Sequence, residues 1–356
     1  MNKNIFVIFA ILMLVILCLG CASKNTENAQ EQVPEEQTPA EVEETAQPEQ
    51  AAGTGEPDFA VTMKDWTKTE WGTTLFSDNH VSGSPRLVEV NMKGEIVWKY
   101  DIPKEVSQYT NPGFSVEVLP NDNVLFVLPR NGVYEVNRQG ETVWSFKDAK
   151  VSHDADRLAN GNTLVAFGAY DTTADSQVRE IDPSGKVVWS WKAIDHFNTS
   201  EYTSISAEGF THTNAVERLA NGDTMISLRN FNFIVVVDKD GNVVRKIGEG
   251  ILTEQHDPVI LDNGNTLLAD HGRPQSIMEL DSNNNIVWQY MLKDPSDFPA
   301  RDANLLSNGN ILVTTSRRIF EITPDKEIVW ELKLTTAAFT QQESASLGFF
   351  KAERLI

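Results

Sequence analysis

The chain has 356 residues, with 51 Asp and Glu against 30 Lys and Arg, for a net charge of −21. That balance argues against nucleic acid or anionic lipid headgroups as partners of the folded part. The only cysteines are Cys18 and Cys21, so no disulfide is available to anything downstream.

Residues 1–20 begin with Lys3 and run through the apolar stretch "IFVIFAILMLVILCLG". The run ends at Cys18-Leu19-Gly20-Cys21, which reads as a lipoprotein-like signal with Cys21 as the lipid-bearing residue. The alternative is a retained membrane anchor, since the run approaches spanning length. Either reading places the rest of the chain outside the cytoplasmic membrane, attached to it. Residues 21–56 are rich in Glu, Gln and Pro; 24–56 hold nine Glu and one Lys and no aromatic residue. Such a segment cannot bury enough apolar surface to offset its chain entropy, so a disordered linker is expected. Residues 57–356 form the folded head.

The head is repetitive. "GEIVW", "GETVW", "GKVVW", "GNVVR", "NNIVW" and "KEIVW" end at Trp98, Trp144, Trp189, Arg245, Trp288 and Trp330, at intervals of 42 to 56 residues. Ahead of each lies an alternating strand and a polar turn, and ahead of that a second hairpin such as "ADRLANGNTLVAF". Four strands per repeat at this period predict an all-β fold, a β-propeller. Five complete units can be cut from 113–334, and the two ends supply the sixth. The closing "KAERLI" (351–356) matches an innermost strand, and "GTTLFSDNH" (72–80) matches the strand that should follow it. The expectation is a six-bladed ring with a composite closing blade.

Innermost strands line the central channel. The residues five positions before the leucine that precedes each inner turn are Phe114, His153, Asn214, His256, Arg301 and Phe350. His212 shares the face of Asn214. Three of the six histidines and an arginine thus converge on one mouth, a pattern suited to an anionic ligand. His271 falls at the rim, as a pocket or a surface residue, while His80 and His196 read as loop residues.

Over about 140–335 the sequence resembles the aryl-sulfate sulfotransferase family, the PAPS-independent arylsulfotransferases. The resemblance lies in "THTNAVERLANGDTMISLRN", "VVVDKDGNVVRKIGEG" and "QHDPVILDNGNTLLADHG", in that order. It implies a six-bladed propeller moving a sulfuryl group from an aryl sulfate donor to a phenolic acceptor. By the same resemblance His256 of "QHDP" is the group that is transiently sulfated, and His212, Arg229 and His153 hold the sulfuryl oxygens and assist proton transfer. Asn214, Arg301, His271, Phe114 and Phe350 are the expected substrate-binding residues. The chemistry needs no nucleotide, metal or organic cofactor, and a monomer is expected. Three other readings exist: a zinc site, disfavoured by the neighbouring arginines; a quinoprotein ring, which usually has eight blades; and a tethered, non-catalytic propeller that binds a ligand or a protein partner. The triplet at Asn198 is a glycosylation signal of low information.

Overall fold

A computed structural model of the chain describes residues 58–106, 113–294, 297–335, 338 and 347–356. The signal or anchor segment, Cys21 and the acidic linker lie outside the described residues. Six antiparallel sheets are arranged as blades, five with four strands and one with five. Their innermost strands are Phe349–Leu355, Val116–Val118, Ala155–Arg157, Thr213–Arg218, His256–Ile260 and Ala300–Leu305, in blades one to six.

The closing blade is composite, as the repeats imply. The C-terminal strand Phe349–Leu355 pairs with Thr73–Asp78, which pairs onward with Arg86–Val90 and Ile96–Asp101. One strand has no counterpart among the repeats. Phe59–Met63 adds antiparallel to Ile328–Leu334 as a fifth, outermost strand of blade six. It covers Val329 completely, whereas the equivalent Val97, Val143, Val188, Val244 and Val287 are about half exposed. Both ends of the head are therefore tied into sheets, and the ring has two non-covalent clasps.

The apolar core is divided. Six buried clusters each draw on two adjacent blades, as when Phe76, Val88 and Phe349 of blade one meet Leu312, Ile319 and Trp330 of blade six. The signature tryptophans reinforce these seams. Trp98, Trp144, Trp288 and Trp330 donate their indole N–H to backbone carbonyls of Arg138, Pro183, Pro324 and Met92 in the next blade, at 2.8–3.1 Å. In blade three the bond comes from Trp191 to Gly241, at 3.0 Å. Arg157, Arg218 and Arg354 stack on Trp144, Trp189 and Trp330 of the preceding blade.

Around the channel a second lock is made of carboxylates. Each accepts a backbone N–H from the next inner strand: Glu353 from Val118, Glu117 from Arg157, Asp154 from Val216 and Asp302 from Ala352, at 2.9–3.1 Å. Burial raises the pKa of Asp154, Asp302 and Glu353, and carries Glu117 up to about 7. Lys351 of the closing strand reaches into this ring, 3.1 Å from Asp257 and 3.8 Å from Asp154, and those charges hold its ammonium well above the ordinary lysine range against burial. Replacing it strands buried carboxylates without a cation. Lys351→Met is expected to cost about 3 kcal/mol at pH 8, and less at pH 5, below the raised pKa of about 7 of Glu117. Urea unfolding at the two pH values measures this; an unchanged midpoint at pH 8 contradicts it.

Candidate active site

Four of the inner strands or their partners carry an irregularity where they meet the mouth of the channel. The register shifts between Thr213 and Ala215, His256 and Val259, Ala300 and Asp302, and Phe76 and Asp78. A bulge lets two successive residues turn toward one side. His256, Arg301 and Phe350 face the mouth, while the next residues, Asp257, Asp302 and Lys351, join the carboxylate ring below.

The mouth holds a pocket of about 320 Å³ that brings together His153, His212, His256, His271, Arg229 and Arg301. Phe350, expected to bind substrate, does not line the pocket but packs behind it: its ring lies 5.5 Å from His153 and 6.1 Å from His256, with the Arg301 guanidinium 5.3 Å over its face. His271, read from sequence as a rim or surface residue, stacks on His256 at 4.1 Å.

Backbone carbonyls fix the ring tautomers, because a carbonyl oxygen can only accept. His153 donates its Nδ1–H to Gly113 at 2.6 Å, His212 to Glu208 at 3.2 Å and His256 to Glu254 at 2.9 Å. The Nε2 atoms of all three rings are then acceptors. Those of His153 and His212 face one another at 3.2 Å, two lone pairs poised for a shared proton. His271 is the reverse, donating Nε2–H to Ala300 at 2.6 Å and turning Nδ1 toward Glu254 at 3.8 Å.

Electrostatics keep these rings neutral. Burial first, then neighbouring rings and arginines, push His153 down to about 3 and His212 down to about 4. His256 falls well below the ordinary histidine range, from burial, His271, Arg301 and Arg229 in that order. Burial and then Arg229 bring Arg301 down to about 9, which leaves it cationic at pH 7.

Several positions differ from the expectation. Phe114 does not line the pocket; it is 1% exposed in the cluster between blades one and two. The backbone of Gly113 stands there instead, and a Cβ on it would lie 2.5 Å from Phe350 and 3.0 Å from His153. Asn214 is buried behind the pocket and donates to the Gln255 carbonyl at 2.8 Å, so it positions the residue ahead of His256. The Arg229 fork is already engaged, by Glu208 at 3.2 Å and Glu254 at 3.0 Å. His80 is buried and paired with Asp78 at 2.8 Å, and His196 stacks on Trp191. Among the described residues no group of three His, Cys, Asp or Glu is arranged to hold a metal ion.

Sequence reasoning passed over the residues that set up the site. Asp171 receives the backbone N–H of Thr211 and His212, each at 3.1 Å, and holds His212 at its left-handed φ of 46°. Gln255 is pinned to Ser227 and the Phe233 carbonyl. Glu208 and Glu254 guard the mouth. None belongs to the repeat, so no period marks them; Gln255 alone carried a signal, as part of "QHDP".

Fold and pocket together define a propeller with an anion-adapted channel mouth. The sequence model of the family described as Arylsulfotransferase (ASST) matches residues 60–255, and the chain belongs to that family. The match ends one residue before His256. No curated protein matches the chain. Among solved structures, a protein of unknown function from Bacteroides caccae is similar at 17% identity and a TM-score of 0.57, covering 76% of this chain and 97% of that one. Virginiamycin B lyase from Staphylococcus aureus follows at 9% identity and 0.47, covering 78% and 99%.

Because burial lowers their pKa, His153 and His212 should keep the resonances of neutral rings from pH 8 to pH 5 and titrate only near 3 to 4. The unfolded chain, with histidines near 6.5, binds protons that these rings refuse, so they favour the folded state above about pH 6.5 and that contribution is lost as pH falls. An NMR titration of the six histidines checks this. A midpoint near 6.5 for either ring would contradict the electrostatic account.

Proposed function

We propose that this arylsulfotransferase-family protein is an exported, membrane-tethered sulfotransferase that moves a sulfuryl group from an aryl sulfate to a phenol through a sulfated His256. One observation carries the reading. His256 has its Nδ1–H tied to a carbonyl and its Nε2 lone pair directed to a pocket with two arginines, and burial keeps the ring unprotonated. A neutral, oriented imidazole is what nucleophilic attack on sulfur requires.

In the first half-reaction Nε2 of His256 forms the N–S bond as the S–O bond to the aryl group breaks, and the phenolate leaves with the electron pair. Arg229 and Arg301 stabilise charge on the sulfuryl oxygens. The fork of Arg229 reaches the substrate when Glu208, exposed, and Glu254, half-buried, yield to the incoming anion. In the second half-reaction a phenol oxygen attacks sulfur and the N–S bond returns its electrons to Nε2. The phenol proton passes across the facing lone pairs of His153 and His212 to solvent as the oxygen attacks, since the low pKa of both rings keeps them from retaining it. His271, stacked on His256, keeps that ring in plane. A second reading, a non-catalytic anion-binding propeller, draws on the engaged fork of Arg229.

With para-nitrophenyl sulfate and no acceptor, a burst of one nitrophenol per protein is expected, with a mass gain of one SO3 on a peptide containing His256. His256→Asn should abolish both. Arg229→Lys keeps the charge but loses the planar fork, and should slow the burst on the order of a hundredfold without moving the label. Full transfer by His256→Asn, or no label on any residue, favours the binding reading instead.

A further inference from the structure

A groove of about 1190 Å³ adjoins the pocket and shares His271 with it. Its walls come from the loop ahead of the strand His256–Ile260, the loop after Thr266–Asp270, and the segments around Leu292 and Phe298. The frame is fixed: Gln275 accepts the Leu292 N–H through its carbonyl at 2.9 Å and the Ala300 N–H through its side chain at 2.8 Å. Apolar surface is provided by Pro274, Phe298 and Met291, the last about half exposed.

The groove walls carry two cations and one carboxylate, Glu254. Every acidic group around it is engaged: Glu254 by Arg229 at 3.0 Å, Asp270 by the N–H groups of Thr253 and Gly272 at 2.6 and 2.8 Å, and Asp297 by Arg318 at 2.6 Å. Asp294 attracts Arg317. The cations Arg273 and Lys293 line the groove, both are exposed, and neither makes an ion pair or hydrogen bond among the described residues. On a chain of net charge −21, two uncommitted cations over an apolar floor beside the reacting pocket form a local reversal of sign.

We propose that this groove is the binding site for the aromatic body of the substrate, and that it selects phenols and aryl sulfates carrying a carboxylate on a short chain. The ring lies against Met291, Phe298 and Pro274, its phenolic oxygen points past His271 to the pocket, and the carboxylate is held between Arg273 and Lys293. Donor and acceptor use the same groove in turn, since the departing phenol and the incoming phenol are chemically alike. The proposal rests on the sulfotransfer reading only for the fate of the bound phenol; the binding preference stands without it.

Calorimetric titration of the protein with para-hydroxyphenylpropionate and with its neutral amide separates the two. The acid should bind about tenfold more tightly than the amide, two exposed charge contacts contributing a few-fold each. In Arg273→Ala/Lys293→Ala the preference should vanish, and in the double Glu variant it should reverse, with the amide unaffected throughout. Equal binding of acid and amide, or a preference that survives the substitutions, overturns the proposal. A preserved preference without any burst would remove the sulfotransfer reading and leave the groove.

Discussion

The structure depends on one strand, Phe349–Leu355, and on the alternation of two of its side chains. As a strand it supplies the inner edge of blade one and closes the ring against Thr73–Asp78. Within it, Phe350 packs against the pocket rings His153 and His256 while Lys351 sits among the buried carboxylates beneath. Removing Lys351 from that lower layer leaves several carboxylates without a cation in a low-dielectric channel, so the strand that closes the ring also supplies its counter-charge. Phe350 then separates two environments, acidic below and basic above. A sulfuryl anion is attracted to the upper side and repelled from the lower one.

The upper side is built by holding imidazoles neutral. Histidines in water would be partly charged near pH 6.5 and poor nucleophiles; here burial and the fields of Arg229 and Arg301 remove the proton from His256. The backbone bears strain to do this. Arg130, Tyr170, Glu208, His212, Glu254 and Asp257, all at or beside the mouth, adopt positive φ values between 42° and 63°. Such conformations disfavour side-chain-bearing residues and persist where neighbours over-determine them, as the bonds from Asp171, Asn214 and Gln255 do.

What the sequence disclosed follows from what repeats. Each blade must present the same inner strand, turn and outer tryptophan, so the blade count, the composite closure and the convergence of His153, His256, Arg301 and Phe350 could be read from one register. The register failed at Phe114 because that side chain turns into the apolar cluster between blades one and two, and the Gly113 backbone meets the channel in its place. Phe59–Met63 was illegible since it belongs to no repeat unit. The contact of His271 with His256, and the engagement of Arg229 by two glutamates, arise between loops whose lengths differ from blade to blade. Their pairing is a property of the closed ring and not of any local string.

The central claim is that the mouth, and His256 within it, is where the sulfuryl group sits. Crystals of the head soaked with selenate, read by anomalous diffraction at the selenium edge, test it directly. The account predicts one selenium peak in the pocket, its oxygens within hydrogen-bonding distance of Arg229 and Arg301 and one face toward Nε2 of His256. An empty pocket at saturating selenate, or a peak below Phe350 among the carboxylates, would contradict it.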